Sequence, residues 1–408
     1  MRLWSISLCA AASTLASEAC ADGQTAALSA ATPAAPASAT PATFSIGMDG
    51  PIVINPSPYT MSSGPLGSIT INGAVSALAF AQSNPAGGDH RGWADMTNAQ
   101  LLIEKTDGLV QFFIDVGAYS FPTVGTPYTR ASKATANTFG AVPAAYLKLA
   151  PNSSFSIEAG KLPTLIGAEY NFTFQNPNIE RGALWNQENT FNRGIQANYT
   201  IGSVSLNLSI NDGYYSNALS WISGAATWSI NSSNTLAFSA GGATRLMRTS
   251  TLATPLPQNN STLYNLILTH TQGQWTIQPY LQYTYTPTLD WAGTTAASTF
   301  GGAVFVTYAF PSTAKLGDMS LAGFSVPGRL EYISQSGSAG GAAANLLYGP
   351  GSSAWSITVT PTYQWKIYYI RGELSCIEAE HVNSGLGFGA SGAGKSQTRS
   401  LLELGALF

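Results

Sequence analysis

The sequence predicts an all-β fold: a transmembrane, antiparallel up-and-down β-barrel of about sixteen strands, with fourteen to eighteen as the range. Composition is the first observation behind this. Charged residues fill 9% of 408 positions, against roughly 25% in soluble domains. Mean hydropathy nevertheless stays near zero, because Ser, Thr, Asn, Gln and Gly take the vacated positions. No run of ~18 or more apolar residues occurs, which excludes membrane helices. Polar and apolar residues mixed this finely suit a sheet with one apolar and one polar face.

The second observation is a period of two from residue 68 onward. Val204, Leu206, Leu208 and Ile210 share one face, opposite Ser205, Asn207, Ser209 and Asn211. Trp275, Ile277, Pro279, Leu281, Tyr283 and Tyr285 oppose Thr276, Gln278, Tyr280, Gln282, Thr284 and Thr286. Such runs last about 10–13 residues, where soluble strands usually have 5 or 6. Trp275 and Tyr285 end one face ten residues apart. At ~3.3 Å per residue and a tilt near 40° that is roughly 25 Å of membrane, the height of the apolar band between two aromatic girdles.

The third observation is the alternation of short and long connections. Thr106-Asp107-Gly108, Pro151-Asn152-Ser153, Ile201-Gly202, Asn231 to Asn234 and Gln272-Gly273-Gln274 read as tight turns. Between them lie 120–138, 164–190, 247–261, 336–353 and 379–397. Short inner turns and long outer loops are the habit of membrane barrels.

Taken from the N-terminus, Arg2 followed by the mostly apolar Leu3 to Ala16 reads as a secretory signal, ended by the small-x-small pattern Ala19-Cys20-Ala21. Residues 1–21 are therefore expected to be a signal peptide, with the mature chain starting at Asp22 and Cys376 as its remaining cysteine. Glu18 spoils a lipobox before Cys20. Residues 22–66 are expected to be an Ala/Pro-rich disordered spacer and an extended lead-in, and 67–408 the barrel. Within that lead-in, 44–66 is Pro- and Gly-spaced, and reads either as an extended approach or as a plug at the pore mouth.

Sixteen strands are expected over 68–82, 95–105, 109–119, 139–150, 154–163, 191–200, 203–212, 220–230, 234–246, 262–271, 275–286, 298–310, 324–335, 354–362, 367–378 and 397–408. The connection 311–323 is long for an inner turn. In hydrocarbon every backbone polar group needs a partner, and of all sheets only a closed one leaves none on an edge. The inward Ser, Thr, Asn and Gln would face a water-filled lumen.

Several motifs invite a chemical reading. Gly389-Ala390-Ser391-Gly392-Ala393-Gly394-Lys395-Ser396 matches a phosphate loop letter by letter. That chemistry needs a helix to follow, and the twelve residues remaining read as a strand. His90, His270 and His381 lie far apart, and nothing pairs one with a particular serine for hydrolysis. Glu378 and Glu380 beside His381 read as a solvated charge cluster rather than a metal site. No catalytic residue, metal or cofactor is implied, and a net charge of -3 gives no case for nucleic acid.

Five charges, Glu169, Glu180, Arg181, Glu188 and Arg193, crowd into 25 positions of this charge-poor chain. The segments around them are Gly160–Glu169 (GKLPTLIGAE), Asn178–Trp185 (NIERGALW), Arg193–Gly202 (RGIQANYTIG) and Asn211–Ser216 (NDGYYS). These resemble the OmpL-like β-barrel porins of bacterial outer membranes, and the resemblance extends to Phe408. It implies an outer-membrane porin that passes small hydrophilic solutes or ions. In general porins the third loop folds into the lumen, and 164–190 is the third long loop here. The five charges are accordingly expected at a pore constriction.

Leu402, Leu404, Ala406 and Phe408 form an alternating row with a terminal aromatic. This resembles the C-terminal signal read by the barrel-assembly machinery. The expected partners are thus that machinery, outer-membrane lipid and the solutes, and a homo-oligomer is compatible with all of them. The rival reading is a closed-lumen barrel serving as a surface adhesin or structural anchor.

Overall fold

The computed structural model describes residues 50–64 and 67–408. The expected signal peptide (1–21) and most of the expected spacer lie outside the described residues. Sixteen strands close into one antiparallel barrel. They are β1 Ser68–Gln82, β2 Gly92–Lys105, β3 Val110–Tyr119, β4 Ala144–Leu149, β5 Phe155–Pro163, β6 Phe191–Ile201, β7 Val204–Asn211 and β8 Trp221–Asn231. There follow β9 Asn234–Ala243, β10 Thr262–Gln272, β11 Trp275–Thr286, β12 Ala297–Ala309, β13 Phe324–Gln335, β14 Ser353–Val359 continued by Thr362–Trp365, β15 Tyr368–Glu380 and β16 Ser396–Leu407. Each pairs with its neighbours in sequence, and β1 also pairs with β16, from Ala74↔Leu407 to Gln82↔Arg399. That seam removes the free edge.

The pleat follows the sequence. On β11, Trp275, Leu281, Tyr283 and Tyr285 are exposed on the outer face while Gln278, Tyr280, Gln282, Thr284 and Thr286 are buried inside. Leu206, Leu208 and Ile210 of β7 likewise face out, and Ser209 and Asn211 in. A row of exposed Leu, Ile, Tyr and Trp side chains around a closed sheet is stable in lipid, where no water competes for the backbone. Tight inner turns reverse the chain at places such as Gly273, whose φ of +60° suits a residue without Cβ.

The long connection 310–323 holds a small hairpin of its own, Lys315–Leu316 paired with Met319–Ser320, so its length adds no barrel strand. Gly389–Ser396 lies in the last outer loop and runs directly into β16 with no helix after it. Strand ends differ from expectation where loops compete. The segment 139–143 leaves β4 because Phe139 is buried among loop aromatics and Gly140 takes φ +75°. β14 is broken at Thr360-Pro361, where proline has no amide to give the ladder.

The inward polar row was expected to meet water. Over the outer half of the barrel it meets packed loops instead: Thr284, Thr286 and Asn211 are fully buried. Irregular loop backbone supplies partners in place of water: Thr286 donates to the carbonyl of Pro257 at 3.2 Å, and Asn211 accepts from the amide of Gly213 at 2.8 Å.

Closure carries an expected result. The detergent-solubilised protein should run differently on a gel before and after boiling, because a barrel without an edge gives unfolding no starting point. Equal mobility, or a helical circular-dichroism spectrum, would be incompatible with this fold.

Candidate functional site

The third long loop, 164–190, connects β5 to β6 and turns into the lumen. Every residue from 171 to 185 is buried. An irregular segment can be buried only if its backbone is satisfied, and the accounting here is specific. Glu373 on β15 accepts the amides of Ile179 and Glu180, the latter at 2.9 Å. Glu331 on β13 accepts the amides of Ala183 and Leu184, both at 2.8 Å. Glu169, from the loop itself, accepts the amide of Gly182 at 2.8 Å. The amide of Arg181 donates to the carbonyl of Pro122 in the preceding loop at 3.0 Å. Asn178–Trp185 is thus a strip of main-chain donors laid over carboxylates. Gly182 is required at its centre, since a Cβ there would stand 2.4 Å from the Glu331 carboxylate.

The wall beneath is charged in register. Arg329, Thr358, Ser375, Arg399 and Gln82 are neighbours across five adjacent strands, all facing inward. Glu180 sits on this row. Its carbonyl accepts from Arg329 at 2.8 Å, and its carboxylate accepts from Ser375 and pairs with Arg399. Arg329 also pairs with Glu169 at 2.6 Å. Nearer the inner end, Arg371 pairs with Glu403 and donates to the carbonyls of Thr173 (2.9 Å) and Asn176 (3.0 Å). Arg399 reaches the second long loop too, through the carbonyls of Thr123 and Thr126. Pairing offsets the cost of burying these charges, which is high for a buried charge left without a partner.

The other flank of the loop is held by neutral contacts. Tyr214 donates to the carbonyl of Gln187, and Asn189 donates to that of Gly213 at 3.2 Å. Ile166 packs with Tyr214, Trp221 and Leu263. Gly167, at φ +95°, leaves room for the Glu188 carboxylate, which would lie 1.8 Å from a Cβ at that position. Tyr280 on β11 donates to Glu188.

The five charges expected at a constriction therefore have distinct surroundings. Glu188 lines a cavity of about 290 Å³ on the outer side of the loop, together with Phe121, Phe139, Trp185, Phe191 and Tyr214. Glu169 lines one of about 460 Å³ on the inner side, with Tyr146, Asn207, Thr227, Thr269 and Gln278. Glu180 and Arg181 are fully enclosed. Arg181 stacks 5.4 Å from the Trp185 ring, and its Nε and Nη1 have no hydrogen-bond partner among the described residues. Arg193 stands apart at the outer end of β6, paired with Asp212 at 2.7 Å and lying 3.8 Å over the Tyr215 ring. Burial pushes the Glu188 carboxyl well above the ordinary range. Burial likewise lowers Arg181 to about 10, against the pull of Glu169.

Arg329, Glu331, Arg371, Glu373, Arg399 and Glu403 are absent from the sequence-based expectation, although a signal existed. Arg329-x-Glu331 and Arg371-x-Glu373 repeat at period two, so each pair shares the inward face of its strand. Among the described residues no group of three or more His, Cys, Asp or Glu is placed to hold a metal.

A sixteen-stranded barrel with its third loop folded inside defines a class, the outer-membrane channels. The family described as "Putative beta-barrel porin-2, OmpL-like" matches residues 68–408, and the chain belongs to it. It is accordingly a channel protein of the bacterial outer membrane. Among solved structures, the anion-selective porin of Comamonas acidovorans is similar at 14% identity and a TM-score of 0.54, over 83% of this chain and 99% of that one. OmpF of Salmonella typhi, solved in complex with daunomycin, is similar at 11% identity and 0.54, over 86% and 100%. The trimer form of OmpT from Vibrio cholerae is similar at 9% and 0.51, over 83% and 99%. At these identities the likeness is one of fold. Among curated proteins no sequence match is found.

Proposed function

We propose that the barrel passes small hydrophilic solutes or ions by passive diffusion around the third loop, without catalysing a reaction. In this reading Glu169, Glu180, Arg181, Glu188 and Arg193 set the field at the constriction. The observation that carries it is the loop's position between two cavities, with Glu188 on the wall of one and Glu169 on the wall of the other. Charges beside a narrow, poorly hydrated gap act on a passing ion more strongly than in bulk water. Outer-membrane lipid and the barrel-assembly machinery are the partners this reading requires. A homo-oligomer is compatible with it, and the OmpT trimer is a precedent on the same fold. At the N-terminus the proposal keeps residues 1–21 as a signal peptide and 22–66 as spacer and lead-in.

Reversal potentials across a salt gradient test the charges. Arg181→Gln with Arg193→Gln should raise the cation-to-anion permeability ratio by a factor of about two, some ~0.4 kcal/mol in relative ion energy. At pH above its raised pKa, Glu188→Gln should lower it comparably, and both effects should fade at 1 M salt, where the screening length is about 3 Å. The Glu188 carboxyl is neutral below its raised pKa and charged above it. Cation preference should therefore step up as pH rises through a value well above 4.5, and Glu188→Gln should abolish the step. Unchanged selectivity and conductance in every variant would remove these residues from the constriction.

A further inference from the structure

We infer that residues 50–56 form an internal plug, an extended piece of this chain that narrows the lumen below the third loop. The inference rests on the channel reading above. Just after this piece, Tyr59–Ser62 pairs with Ser68–Ile71 at the inner end of β1, continuing the line of β16 below Phe408. The chain before that strand does not lie along the outside of the barrel. Gly50 abuts the third loop so closely that a Cβ would stand 2.6 Å from the carbonyl oxygen of Asn176. Val53 exchanges two hydrogen bonds with the Gln364 side chain on β14, at 2.7 and 2.8 Å. The span from 50 to 53 therefore reaches from the loop to the inner end of the wall. Pro51 and Pro56 favour extended backbone on either side, and Asn55 turns the chain by accepting from the amide of Ser57 at 3.0 Å.

The wall opposite is shaped for this segment. Ala74, Leu102, Phe113, Tyr369 and Leu407 form a buried apolar patch on the inner surface, where a water-filled lumen calls for polar side chains. Ile52, 1% exposed, packs in this patch with Phe172 and Phe174 of the third loop. An apolar patch facing water is unfavourable, and covering it removes that cost. The plug is partial. A cavity of about 630 Å³ runs beside it, lined by Val53, Ile54, Pro56, Thr307, Phe324 and Gln364. Solute passing through the inner half of the barrel would travel along one flank of the segment.

Planar-bilayer recordings on the full-length protein, a variant lacking residues 50–57, and the point variants Ile52→Asp and Gln364→Ala test this. An extended chain with its side chains occupies roughly 5 by 10 Å in section. Removing it should raise single-channel conductance roughly twofold, since conductance follows pore width. Ile52→Asp and Gln364→Ala should give frequent transitions toward that larger level. A peptide with the sequence of residues 44–58 should block the deletion variant from one side of the bilayer only. Heat-modifiable mobility on a gel verifies that each variant has folded. Conductance unchanged by the deletion, in a protein that conducts, would overturn the plug and leave the channel reading standing. Absence of conductance in the folded full-length protein and in all folded variants would overturn the channel reading, and the plug with it.

Discussion

Arg399→Met should free the third loop while leaving the barrel closed. Glu180 is fully buried and Arg399 is its cationic partner, so the substitution strands a carboxylate beside Ser375 alone. Breaking a buried pair from one side costs about 3–5 kcal/mol. The strand ladders do not depend on this contact, so the loss falls on the docking of 164–190 and on the carbonyls of Thr123 and Thr126. Heat-modifiable mobility should persist, protease added from outside should now cut within 164–190, and the single-channel current should become noisy. The double variant Arg399→Met, Glu180→Gln should recover much of the docking, because it removes both charges together. A single variant with a quiet current and a resistant loop would show that the pair does not hold the loop.

Removing Phe408 should lower the amount of assembled barrel in the envelope roughly tenfold, a far larger change than in the thermal stability of the barrel that does form. Phe408 lies over Gly73, whose Cβ would stand 2.4 Å from its ring, and its amide donates to the Gly73 carbonyl at 2.9 Å. It thus finishes the β1–β16 seam at the inner end. The ring, with Leu402 and Leu404, faces outward and is 44% exposed, so it contributes little to packing inside the barrel. The proposed role of the row Leu402, Leu404, Ala406 and Phe408 as an assembly signal then accounts for the difference. Phe408→Ser, which keeps the backbone bonds, separates the ring from the seam. An assembled yield equal to that of the unaltered protein would refute a recognition role for the aromatic.

Much of the barrel was legible because lipid imposes period two on one face of every strand. β1, β11 and β13 run over the residues the alternation marks, 68–82, 275–286 and 324–335. The misread ends are at 139–143, where Phe139 serves loop packing, for which no period exists, and at 244–246, where the strand stops at Ala243 and Thr244, Arg245 and Leu246 are exposed. The extent of the third loop was legible from its charge cluster, but its contacts were not. Those come from Arg329, Glu331, Arg371, Glu373, Arg399 and Glu403, more than 100 positions away in the chain, and barrel closure alone brings them beneath the loop. The inner apolar patch is hidden in the sequence for a related reason. Ala74, Leu102 and Leu407 read as unremarkable barrel residues until register shows which way they point.

The carboxylates that seat the third loop grip peptide amides, which every residue except proline provides. Glu331 and Glu373 hold Ala183, Leu184 and Ile179 through their main-chain amides, so no side chain of the loop takes part in those bonds. Positions of the loop that border the cavities, such as Leu165 and Asn186, are therefore uncoupled from the anchorage. Replacing them alters what a permeant meets without shifting the frame that presents it. A scaffold of this kind is suited to acquiring new permeants by point substitution, and an engineer wishing to retune the channel has a short stretch of loop in which to work.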